Sequence, residues 1–125
     1  MLFRNYIVIF IFFMVSFLIF PQINGYFFYG ELCENCRDDE IRFNSILREK
    51  LPAAKRNKYS CNFYIYNIYE ITGRSIYESI TDDLGIDRRQ LEMPLVILNG
   101  KILQGYDNII ANIREIFFNA VDQMH

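Results

Sequence analysis

Asn99-Gly100 separates the apolar run Leu95-Val96-Ile97-Leu98 from Lys101-Ile102-Leu103, and no other stretch leaves this chain so few ways to fold. A type I′ turn needs positive φ at both central residues, which Asn and Gly tolerate, so the dipeptide predicts a two-residue β-hairpin. Pro94 lacks a main-chain N–H and suits the opening of the first arm. Gly105 ends the second arm. Beyond it, Ile109, Ile110, Ile113, Ile116, Phe117 and Ala120 recur at helical spacing. They predict a helix running from Asp107, as its N-cap, toward Val121.

The same rules order the chain upstream. Tyr26-Phe27-Phe28-Tyr29 is a short continuous apolar run, as expected of a central parallel strand. The aromatic and β-branched stretch Cys61–Tyr69 predicts a second strand. Between them, Ile41, Ile46 and Leu47, with Phe43 nearby, form a helical stripe that begins near Arg37 and stops at Leu51-Pro52. Asp38, Asp39 and Glu40 suit the positive end of that helix. Pro52–Ser60, with Lys55, Arg56 and Lys58, reads as a surface loop. Thr72-Gly73 introduces a helix over 74–84 that presents Ile76, Ile80 and Leu84 on one face, with Gly85 as its C-terminal cap. Asp87–Glu92 is a charged link. The order is β-α-β-α-β-β-α, and the first two strands, joined through a helix, should be parallel.

A chain of 125 residues with 52% hydrophobic content, 12 Phe and 9 Tyr has material for one core. Its net charge of −2 leaves no basic surplus to neutralise phosphates, which argues against nucleic acid as a partner. The only His is His125, at the end of the chain, so a cysteine–histidine catalytic pair has no evident base. The 3 cysteines are too few for a disulfide-stapled scaffold. A structural zinc would have to use all of them together with His125.

Arg4 precedes Ile7–Phe20, apolar throughout except Ser16, and Pro21-Gln22-Ile23-Asn24-Gly25 follows. A basic start, a short apolar run and a small residue after a helix breaker match a secretory signal peptide cleaved after Gly25. The run is short for a spanning helix, which needs about 20 residues, but Leu2, Phe3, Tyr6 and Ile23 could extend it into an uncleaved anchor. Both readings of residues 1–25 export the domain at 26–125, and neither gives it another membrane contact. Outside the cytosol disulfides persist, and dithiol enzymes are needed to make, break or reshuffle them.

That gives weight to Cys33-Glu34-Asn35-Cys36, placed after a strand and at the start of a helix. A helix N-terminus carries roughly half a positive charge, which favours thiolate over thiol. Two cysteines at this spacing can close a small disulfide; the first, more exposed, attacks and the second resolves the mixed disulfide. Glu31 and Glu34 oppose the dipole, because nearby anions raise a thiol pKa. A less stabilised thiolate makes the dithiol more reducing. Cys61, opening the second strand, reads as a small buried hydrophobe, with a second exchange thiol as the sharper alternative.

The dithiol and the stretch Met93-Pro94-Leu95-Val96-Ile97-Leu98-Asn99-Gly100, followed by Gly105 and a helix, resemble the thioredoxin superfamily in a compact, glutaredoxin-like form. The resemblance covers nearly all of residues 26–121. It implies a four-stranded mixed sheet flanked by three helices, with Cys33 as nucleophile and Cys36 as resolving thiol. It also implies that Pro94 is cis and faces the dithiol, so that the main chain of Met93 can pair with an extended substrate segment. Leu32 stands where thioredoxins carry Trp, and joins Met93 and Pro94 as a substrate contact. Phe27 stands where thioredoxins bury a proton-accepting acid, so that proton path is absent. Glutaredoxins seat glutathione with a double glycine and an acid; Gln104-Gly105-Tyr106-Asp107 matches only in part, and no cofactor is expected.

The expected function is extracytoplasmic thiol–disulfide exchange on exported proteins or peptides, more reducing or isomerising than strongly oxidising, with a membrane electron donor as a candidate partner. Two alternatives stand beside it. One is a binding module with a static disulfide. The other is an accessory dedicated to maturing one exported peptide.

Overall fold

The computed structural model describes residues 22–33 and 36–124. The signal or anchor assigned to 1–25 lies mostly outside that range, as do Glu34, Asn35 and His125. The described chain forms strand β1 (Ile23–Tyr29), helix α1 (Asp38–Lys50), a short helix α2 (Ala53–Lys58), strand β2 (Cys61–Asn67), helix α3 (Ile71–Asp83), hairpin strands β3 (Leu95–Leu98) and β4 (Lys101–Gln104), and helix α4 (Tyr106–Gln123). The strands make one mixed sheet in the order β2-β1-β3-β4. β1 runs parallel to β2 and antiparallel to β3, and β3 pairs antiparallel with β4.

β1 is central, and its alternating side chains supply both faces of the sheet. Phe27 and Tyr29 pack with Phe43 and Leu47 of α1 and with Ile109, Ile113 and Phe117 of α4. Phe28 points the other way and packs with Tyr77 of α3 and with Leu95 and Ile97. Phe27 is fully buried and stacked on Phe43, with ring centroids 4.0 Å apart. Truncating such a ring costs about 3–5 kcal/mol, more than any surface ion pair returns.

The hairpin follows its turn chemistry. Asn99 and Gly100 have φ of 51° and 77°. Gly85 (φ 68°) caps α3, with Ile86 N–H reaching back to the Thr81 carbonyl at 3.0 Å. The Met93–Pro94 bond is cis.

Several boundaries and the buried face of one helix differ from the sequence expectation. β1 begins at Ile23, which is buried and pairs with Cys61, so cleavage after Gly25 would fall inside the strand. The cysteines do not sit in the first turn of α1, because that helix starts at Asp38. The loop after Pro52 contains α2, giving a fourth helix; its Ala-Ala start favours helix although it has no apolar stripe to reveal it. α4 starts at Tyr106, with Gly105 as its N-cap, so Asp107 lies within its first turn. β2 stops at Asn67 and α3 begins at Ile71. The buried face of α3 is Gly73, Tyr77 and Thr81, whereas Ile76 and Ile80 are half-buried and Leu84 is exposed. Gly73 sets that face: a Cβ there would overlap the Asn67 carbonyl, so only glycine lets α3 approach β2 this closely.

Candidate redox site

The site is built where β1 leaves the sheet. Gly30, Glu31 and Leu32 carry the chain from Tyr29 to Cys33, and Arg37 precedes α1. Cys33 and Cys36 are joined in a disulfide with their Cα atoms 5.2 Å apart. The Cys36 N–H donates to the Cys33 carbonyl at 3.3 Å. Cys33 is exposed and Cys36 half-buried, which is the asymmetry an attacking and a resolving thiol need. Both precede α1, so the dipole, which fades within the first turn, acts on them from its edge.

Sequence reasoning did not find what holds this turn. Asn67, buried at the end of β2, receives the Glu31 N–H on Oδ1 at 3.3 Å and donates Nδ2 to the Glu31 carbonyl at 2.8 Å. The same Oδ1 accepts the Tyr69 N–H at 3.1 Å. One side chain therefore fixes the turn before the dithiol to the turn after β2. An Asn closing a strand and followed by a turn was the available signal, but its partner lies 36 residues away.

The Glu31 side chain secures the other end. Its Oε1 accepts the Asp39 N–H at 3.0 Å, an orphan donor of the first turn of α1. Its Oε2 is buried and has no hydrogen-bond partner among the described residues. The Asp39 N–H draws the Glu31 pKa down, but burial and the Asp39 and Asp38 carboxyls outweigh it, and the net shift is upward. Asp39 in turn accepts the Tyr106 hydroxyl, and the Arg42 guanidinium stacks 3.8 Å from the centre of the Tyr106 ring. Burial, followed by that hydrogen bond, raises the Tyr106 pKa. The turn is thus tied directly to β2 and α1, and through Asp39 to α4, by contacts other than the disulfide.

A cavity of about 370 Å³ opens beside the pair, lined by Cys33, Cys36, Tyr29, Arg37, Glu40 and Glu70 among others. A comparison with family models, curated proteins and solved structures finds no match to this chain. Leu32, beside Cys33, is 85% exposed. Met93 and Pro94 are half-buried and do not line the cavity. The β1–β3 pairing ends at Phe28 and Leu95, so Pro94 lies just beyond it, at the end of the sheet where the chain departs for Cys33. The Pro94 carbonyl is taken by the Gly105 N–H at 2.8 Å. Phe27 is sealed in the core. Cys61 is a free, buried thiol whose pKa burial pushes up to about 11. Among the described residues no three His, Cys, Asp or Glu side chains gather into a metal-binding group, and no helix is long and apolar enough to cross a membrane.

Proposed function

We propose that this chain is an extracytoplasmic thiol–disulfide oxidoreductase with a thioredoxin-like fold, acting on disulfides of exported proteins or peptides. The observation that carries this is the exposed Cys33 joined to a half-buried Cys36 at the mouth of a cavity. The parallel β1–β2 pair and the antiparallel β3–β4 hairpin support the fold assignment. The Glu31–Asn67 clamp also supports the reading, because a turn already held by side chains does not need a permanent disulfide to shape it.

Starting from the dithiol, the Cys33 thiolate attacks one sulfur of a substrate disulfide. The substrate S–S bond breaks, Cys33 joins that sulfur in a mixed disulfide, and the other substrate sulfur leaves and takes a proton. Cys36 then loses its proton and attacks the Cys33 sulfur. This releases the second substrate thiol and closes Cys33–Cys36. Two electrons and two protons pass to the substrate, and an external dithiol or membrane donor returns them. The acidic surroundings of Cys33, with Glu31 occupying the N-terminus of α1, favour the reducing and isomerising direction.

Cys36→Ser in the full chain separates exchange from a static disulfide. Exchange leaves mixed disulfides with client proteins that disappear in Cys33→Ser, and few or many trapped clients distinguish a dedicated accessory from a general enzyme. No trapped species means that the pair is structural.

A further inference from the structure

We propose that this site selects peptide disulfides whose attacked cysteine is flanked by a cationic side chain and an apolar one. The inference rests on the exchange reading and names the substrate class of that same site.

The charge around the cavity is net negative. Glu40 and Glu70 line it beside the two cysteines, with Arg37 as the one basic lining residue. The Tyr29 phenol reports the same field. Burial is the first cause of its raised pKa, and the carboxylates of Glu40, Glu70 and Glu31 add to it, with Arg37 alone opposing. A Lys or Arg side chain entering beside the disulfide meets a net negative wall. An acidic one is repelled.

The apolar half of the signature has its own surface. Glu70 also lines an adjoining groove of about 340 Å³ with Tyr69, Ile71 and Arg74. Arg74 is paired with Glu78 at 3.0 Å, so its charge is largely cancelled within that groove. Tyr69 is 57% and Ile71 91% exposed, and Leu32 projects next to Cys33. Tyr69 is held in place by packing against Gly30, where a Cβ would stand 2.9 Å from its ring. Glu70 is the shared wall, so an extended peptide can present a cation to one cavity and an apolar side chain to the next. Charge complementarity argues for such a peptide over an anionic lipid surface, which these carboxylates repel.

The test uses the reduced full chain in neutral-detergent micelles. Two peptides with one internal disulfide each differ only in carrying Lys-Leu or Glu-Leu beside the attacked cysteine. The expected result is a kcat/KM about tenfold higher for the Lys peptide, shrinking as salt is raised through about 0.5 M and in Glu70→Gln. A Lys-Ser peptide should fall below Lys-Leu. Equal rates, or a faster Glu peptide, overturn the selectivity and leave exchange standing. If neither peptide is reduced and Cys36→Ser traps nothing, the exchange reading falls and this inference falls with it.

Discussion

Asn67 holds both main-chain polar groups of Glu31, giving Nδ2 to its carbonyl at 2.8 Å and taking its N–H on Oδ1 at 3.3 Å. The clamp joins the dithiol turn to β2 and is partly sheltered from water. Asn67→Ala should cost about 1–2 kcal/mol, since it strips partly buried main-chain groups of their partners. Gly73→Ala should lower stability by a similar amount, about 1–3 kcal/mol or more, because the added methyl drives the Asn67 main chain away. Urea unfolding of the oxidised proteins measures both. Wild-type midpoints would show that the clamp carries no weight.

Glu31 places a carboxylate on the N-terminus of α1 beside the dithiol. Removing that charge in Glu31→Gln should lower the Cys33 thiol pKa and move the couple toward the oxidising end of the range known for exchange dithiols, about −270 to −120 mV. Equilibration against glutathione buffers reads the potential. An unchanged or more reducing variant contradicts the electrostatic account.

Glu31 also makes stability depend on pH. Its folded pKa is raised above the ordinary value of 4.5, so the folded chain keeps this proton longer than the unfolded chain. Its contribution is fully present below 4.5 and is lost as pH rises through the higher folded value. Subtracting the stability of Glu31→Gln from wild type isolates it. The difference should fall as pH rises above the ordinary value of 4.5, and a flat difference would reject the assignment.

Cys61 is buried, with its thiol pKa pushed up to about 11. In the oxidised native protein it should resist alkylation at pH 8, where an ordinary thiol of pKa about 8.5 reacts. Cys61→Ala should leave exchange intact and cost about 1–2 kcal/mol through the small cavity it opens. Mass spectrometry after iodoacetamide treatment, with and without urea, distinguishes a buried thiol from an exchanging one.

β1 begins at Ile23, so a chain that starts at Tyr26 loses a buried Ile and the pairing of Ile23, Asn24 and Gly25 with β2. It should be less stable than a chain starting at Gln22 by about 2–4 kcal/mol. Thermal unfolding of the two proteins decides it. If they are equal, the first residues of β1 are dispensable and processing after Gly25 is harmless.

Much of the architecture was legible because it depends on short-range chemistry. The Asn99-Gly100 turn, the Gly85 cap and the Leu51-Pro52 stop are each settled within a few residues, where φ limits and orphan main-chain groups leave little choice. The dithiol was legible for the same reason, since its spacing alone allows the disulfide. α3 shows where this ends. Ile76, Ile80 and Leu84 make as good a stripe as Gly73, Tyr77 and Thr81, and only the close approach to Asn67 selects the second.

The amino-acid sequence by itself determined the order of the elements apart from α2, the hairpin and the presence of a paired-cysteine pattern near a helix start. Tertiary structure alone decided that Asn67 grips Glu31, that Tyr106 bonds Asp39, and that acidic and apolar grooves meet at Glu70. Those relationships join residues far apart in the chain. Their energy exists only once the sheet and helices have brought the partners together and excluded water from between them.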